Sequence, residues 1–93
     1  MRITYDPAKR DAILEDRGLD VARADEVFAG FHLTRGDEKH SSWEDRFLSV
    51  GKLDDDVVIV VWTPREKERR IVTMWKANEK ERRAYHRRRK DSG

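Results

Sequence analysis

The longest apolar run in the chain is Val57-Val58-Ile59-Val60-Val61-Trp62. Being hydrophobic at both parities, it predicts a central β-strand covered on both faces, because a strand with one wet face alternates. Its neighbours do alternate. Arg46 to Leu53 has that pattern, with Gly51 as a candidate bulge, and Asp54-Asp55-Asp56 is a compact polar turn into the apolar run, so the two strands predict a hairpin. Thr63 to Arg69 reads as a charged connection containing Pro64, and Arg70 to Lys76 as a last strand. Along that strand Ile71, Thr73 and Trp75 share one face, and Arg70, Val72, Met74 and Lys76 share the other.

The first part of the chain carries helical spacing instead. Arg2 to Tyr5 predicts a short strand with Ile3 and Tyr5 facing one way. Asp6 then caps, and Pro7 opens, a helix running to about Arg17, with Ala8, Ala12 and Ile13 on its apolar side and Gly18 ending it. Asp20 caps a second helix, whose Val21, Ala24, Val27 and Phe28 recur at steps of three and four before Gly30. Phe31 to Thr34 predicts a brief strand, and Arg35 to Asp45, polar and without a sustained period, a loop. Near the end, Asn78 caps a final helix with Glu79 and Glu81 in its first turn. Ala77, Ala84 and Tyr85 give that helix little apolar surface, so it is expected to dock lightly. Together these elements predict an α+β domain: an antiparallel meander with the helices gathered on one face.

Ninety-three residues make a single domain, 1–93, with a small core, since hydrophobic residues are 37% of the chain and charged ones 43%. The apolar run is far shorter than the roughly 20 residues a membrane span takes, and no basic-then-hydrophobic leader is present, so a cytoplasmic protein is expected. Absence of cysteine excludes thiolate chemistry and fits a reducing compartment. His32, His40 and His86 are too far apart to suggest a metal motif, and no cofactor is expected. Charge changes the picture most. Residues 65–93 hold 12 Lys and Arg against 5 Asp and Glu, a balance of +7, whereas the first 64 residues have a balance of −5. A basic end of this kind attracts polyphosphate backbones, although a solvated helix with cations suited to its dipole has the same composition. Loops held by a rigid sheet often carry function, which singles out Asp37, His40, Glu44 and Arg46.

An order of short signatures runs along most of the chain. It comprises Ile3-Thr4-Tyr5-Asp6-Pro7-Ala8-Lys9, Gly18, Val27-Phe28, then Asp37, His40-Ser41, Glu44 and Arg46-Phe47, then Gly51 and the apolar strand, then Arg70-Ile71-Val72-Thr73, Lys76-Ala77-Asn78 and Glu81-Arg82-Arg83-Ala84-Tyr85. In that order and spacing these residues resemble the BrnT toxins of bacterial type II toxin–antitoxin systems. The resemblance implies a RelE-like fold, here an antiparallel sheet with two N-terminal helices and a basic C-terminal helix. It also implies a ribonuclease that arrests translation, neutralised by a BrnA-type antitoxin, with operator DNA reached only through that antitoxin. Where family members commonly have arginine this chain has Trp75, two residues after Thr73 in place of the family's serine. Tryptophan cannot clamp a phosphate, but it can stack on a base.

Metal-free RNA cleavage needs a base for the 2′-hydroxyl proton, cations for the charge at phosphorus and an acid for the leaving oxygen. His40 and Glu44 suit the base and acid, with Glu44 able to orient His40, while Arg46 and Lys76 are the preferred transition-state donors and Arg70 and Tyr85 the second choices. Arg70, Thr73, Trp75, Arg82, Arg83 and Tyr85 complete the expected RNA-binding set, Tyr85 serving equally as a helix anchor. A different class of function fits the same residues: a non-catalytic RNA- or protein-binding module using the basic helix and Trp75. Groove reading of DNA by this chain is not expected, because the last helix lacks a helix-turn-helix partner.

Overall fold

The computed structural model describes residues 2–37 and 45–92. His40 and Glu44 fall outside them. The elements are β1 (Arg2–Thr4), α1 (Pro7–Arg17), a 3₁₀ turn (Val21–Arg23), α2 (Ala24–Ala29), β2 (His32–Gly36), β3 (Phe47–Leu53), β4 (Asp56–Arg65), β5 (Glu68–Lys76) and α3 (Glu79–Ser92). One sheet has the order β1-β5-β4-β3-β2. From β2 to β5 it is the expected antiparallel meander, with β4 at its centre and Val57 to Trp62 all buried. β1 then adds to the far edge parallel to β5, which makes the sheet mixed.

Local chemistry sets the helix ends. The Asp6 carboxylate accepts from the Ala8 N–H at 2.9 Å, and Gly18 sits at φ 67°, left-handed, donating its N–H to the Leu14 carbonyl at 2.9 Å. Asp20 accepts from the Ala22 N–H at 3.0 Å and takes a two-point contact from Arg10 at 2.8 and 2.9 Å. That contact holds its carboxyl below the usual range. Asn78 and Glu81 form a reciprocal capping box, each side chain accepting the other's N–H at 2.8 Å.

The two faces of the sheet are covered differently. α1, the 3₁₀ turn and α2 pack on the inner face, where Val58, Val60 and Trp62 of β4 meet Ile13, Val21, Ala24 and Val27. The helices are not gathered on one face, as the sequence suggested: α3 crosses the outer face. It is held there by Tyr85, only 2% exposed, whose hydroxyl donates to the Phe31 carbonyl at 3.0 Å and whose ring lies 5.7 Å from that of Phe31. With Ala84 beside it and cations elsewhere, the helix has too thin a stripe to bury more.

Register corrects two further expectations. The chain between the last strands is mostly strand: β4 runs to Arg65, and Glu66, at φ 55°, turns directly into β5. Pro64 is tolerated because β3 pairing stops at Phe47–Trp62, leaving that position a partner on the β5 side alone. Within β5 the pairing passes from Val61–Thr73 to Trp62–Ile71, so Val72 is an extra residue. The bulge re-phases the strand. Ile71 joins Met74 in the inner core, while Thr73 and Trp75 lie on the outer face with Arg70.

Gly51 is not the bulge. A Cβ there would meet Val27 Cγ1 at 2.8 Å, His32 Cβ at 3.2 Å and the Phe31 carbonyl oxygen at 3.3 Å, so its lack of a side chain lets α2 lie directly on β3. Gly51→Ala should therefore lower stability by about 1–3 kcal/mol through overpacking. A shift of the urea midpoint at constant slope would show this. An unmoved midpoint would mean that α2 lifts off at no cost.

Candidate nucleic-acid interface

Several charged groups are paired with neighbours of opposite sign. Arg23 bridges Glu26 and Asp54 with contacts of 2.7 Å, Arg2 meets Glu68 at 3.3 Å, and Arg83 meets Glu79 at 2.9 Å along α3. Among the described half-buried cations, Arg10 and Arg23 are tied to carboxylates, whereas Arg46, Lys52, Arg69 and Arg70 have no carboxylate partner. Partial desolvation of a cation without a partner is unfavourable, so such a group is set to receive an anion.

Arg46, Arg69 and Arg70 gather at one end of the sheet. Thr63 pairs with Arg70, and Arg46 directly precedes Phe47, the partner of Trp62, so Arg46, Thr63 and Arg70 form one row across β3, β4 and β5. Alternation puts this row on the outer face, since Phe47 stacks on Trp62 at 5.1 Å on the inner one. Two strand spacings separate the Arg46 and Arg70 backbones by roughly 10 Å, which lets both guanidinium groups reach one phosphate. The Arg46 Nε is enclosed without a hydrogen-bond partner. Asp37 and Asp45, the described residues on either side of positions 38–44, lie beside this row: the Asp37 N–H donates to the Arg46 carbonyl at 2.9 Å, and the Thr63 hydroxyl donates to the Asp45 carbonyl.

Arg69 projects from the inner side of the same end. Its guanidinium lies 4.0 Å from the centre of the Phe28 ring and 5.1 Å from that of Trp62, and burial pushes its pKa down. Nothing in the sequence marks it, because Arg69 reads as one more charge in a connection. Arg17 was equally hidden at the end of α1. It donates from Nη1 to the Thr73 hydroxyl at 2.9 Å and to the Met74 carbonyl at 2.8 Å, covering the edge of β5 that β1, paired only from Glu68 to Arg70, leaves open.

Two expected members stand apart. Lys76 pairs in register with Val58 of the inner face, five residues along β4 from Thr63 and so roughly 16 Å away, and its ammonium lies 3.6 Å from Asp56. It is at the other end from Arg46 and on the other side. Tyr85 spends its hydroxyl and most of its ring on docking α3, leaving only the part that lines the outer face. Arg82 is exposed on α3 without a carboxylate partner among the described residues, and Arg83 is exposed with Glu79. Between these cations and the arginine row, the outer face forms a groove of about 420 Å³, walled on one side by Trp75 and Ile59 and on the other by Ala84 and Tyr85.

Among the described residues no helix is long and apolar enough to cross a membrane. A search of curated proteins returned no match. A family model described as the ribonuclease toxin BrnT of type II toxin–antitoxin systems matches residues 5–81, which takes in both inner helices, the whole meander and the first turn of α3. The chain belongs to the BrnT family of ribonuclease toxins of type II toxin–antitoxin systems.

Proposed function

We propose that this chain is a cytoplasmic, metal-independent endoribonuclease toxin that arrests translation by cleaving RNA and is neutralised by a BrnA-type antitoxin. The observation that supports this reading best is the row of Arg46 and Arg70, half-buried and without carboxylate partners among the described residues, with Asp37 and Asp45, the described neighbours in sequence of the stretch containing His40 and Glu44, beside it. In the proposed reaction the 2′-oxygen attacks the adjacent phosphorus and the bond to the 5′-oxygen breaks. One of His40 and Glu44 takes the 2′-hydroxyl proton, and a proton from the other goes to the leaving oxygen. His40 suits either task, because an imidazole with its ordinary pKa of about 6.5 exchanges protons near neutrality. Arg46 and Arg70 supply fixed positive charge to the pentacoordinate phosphorus, the term that usually contributes most. In this reading Arg70, the second choice on sequence, takes the donor role in place of Lys76. An acidic antitoxin segment would bind fast to the basic surface and block it.

The test is induction of the chain in a bacterial host, with and without the gene beside it, following growth and total RNA. Growth arrest with RNA loss is expected, relieved by the neighbour and by His40→Ala or Arg46→Ala. Normal growth and intact RNA, from protein shown to be folded, would overturn the nuclease reading in favour of a module that binds without cleaving.

A further inference from the structure

Trp62 and Trp75 have opposite situations. The Trp62 indole N–H donates to Ser49 at 2.8 Å, and its ring contacts Phe28 and Phe47. Trp75, half-buried on the outer face, has neither a hydrogen bond nor a ring partner among the described residues. Its indole forms part of the groove beneath α3. The floor is the register row Leu33, Val50 and Ile59, apolar throughout, and Tyr85 closes the back.

The groove lies in a positive frame. Arg35 and Arg88 stand at its rim, the cations of α3 run along one side, and the Arg46–Arg70 row lies beyond its open end. With the bulge counted, Arg70 and Trp75 are about four strand steps apart, roughly 13 Å, a distance that a few nucleotides of extended chain cover. An occupant must therefore combine a flat apolar part with negative charge a short distance away. Its volume is that of a small-ligand cleft rather than a long helix-binding channel. Glu81, the one carboxylate at the rim among the described residues, would also repel an acidic peptide. Much of the α3 wall, including Ala84, Tyr85 and Arg88, lies beyond the span that the family model matches.

We propose that this groove is a nucleobase pocket, in which Trp75 stacks on one unpaired base of an RNA strand whose backbone continues over Arg70 and Arg46. The proposal rests on the RNA-cleaving reading, and adds to it the place where a single base is held. Stacking would fix the strand along the sheet, and so fix which phosphate reaches the arginine row.

The probe is a six-nucleotide single-stranded RNA with 2′-O-methyl groups, which removes the attacking hydroxyl so that affinity is read without cleavage. It is compared with six versions, each lacking one base, on wild type, Trp75→Phe, Trp75→Ala and Arg46→Ala, all checked for folding by thermal melting. One abasic position should weaken wild type roughly 5- to 150-fold and weaken Trp75→Ala no further, with Trp75→Phe close to wild type. Quenching of the Trp75 emission, taken as the difference from Trp75→Phe, gives the same answer if the alanine variant does not fold. If Trp75→Ala binds every oligonucleotide as tightly as wild type while Arg46→Ala weakens them all, the pocket is overturned and the RNA reading stands. No binding by wild type, even at low salt, would overturn both. Quenching of Trp75 by the purified antitoxin and by none of the RNAs would give the groove to a protein segment instead.

Discussion

Trp62→Ala is expected to destabilise the fold by about 3–5 kcal/mol, the usual cost of emptying an aromatic site in a core. Trp62 is 8% exposed and joins three parts of the inner layer: Phe47 stacked at 5.1 Å, Phe28 edge-on at 5.9 Å, and the Arg69 guanidinium at 5.1 Å. Its N–H also completes the pairing of the fully buried Ser49, whose hydroxyl lies 2.7 Å from that of Thr34. Truncation opens a cavity, removes one of the two rings that hold Arg69 flat, and leaves Ser49 with Thr34 alone. A domain of this size has on the order of 5–14 kcal/mol in total, so the variant should be largely unfolded under conditions where wild type is stable. Trp62→Phe separates the contributions. It keeps the ring contacts and loses only the donor, and should cost about 1 kcal/mol, since Ser49 retains one partner. Denaturant unfolding of both variants checks this. Equal midpoints for the two would mean that the ring contacts contribute nothing and the hydrogen bond everything.

Much of this layer is legible in the sequence. Val57 to Trp62 could only be a central strand, and the caps at Asp6, Asp20 and Asn78 rest on side chains that bond their own neighbours, which is why sequence reveals them. The bulge was not legible. Nothing local marks Val72 as the residue that breaks the period of two, so plain alternation groups Ile71 with Thr73 and Trp75, from which the bulge separates it. The parallel pairing of β1 with β5 joins residues more than 60 positions apart, and no local pattern encodes it. α3 gave too few apolar positions to say which face it covers. The same division runs through the site. Residue type and position single out Arg46 and Lys76 alike, and only the register across β4 shows that they lie at opposite ends of the sheet. Arg69 and Arg17 were missed because a cation over an aromatic ring, or on a strand edge, leaves no trace in spacing.

Arg46→Ala is expected to slow RNA cleavage by about 10²–10³-fold with little effect on folding, the loss typical of one preorganised transition-state donor. The reasoning turns on the free state of its charge. A guanidinium already paired with a carboxylate must give up that partner before it helps phosphorus, whereas Arg46 and Arg70 have none among the described residues to give up. Arg46→Lys should recover only part of the loss, because an ammonium restores charge without the two-point fork. Arg70→Ala should act in the same direction. If both arginines hold one phosphate, the double variant should lose less than the product of the single losses, as groups that act as a unit do. Lys76→Ala is the control that locates the centre. Its ammonium is 3.6 Å from Asp56 at the opposite end of β4, so single-turnover cleavage should change by less than about threefold, the scale of an exposed ion pair. If Lys76→Ala instead abolished cleavage while Arg46→Ala did not, the reacting phosphate would have to sit at that other end, and the arginine row would be a docking surface rather than the place where the bond breaks.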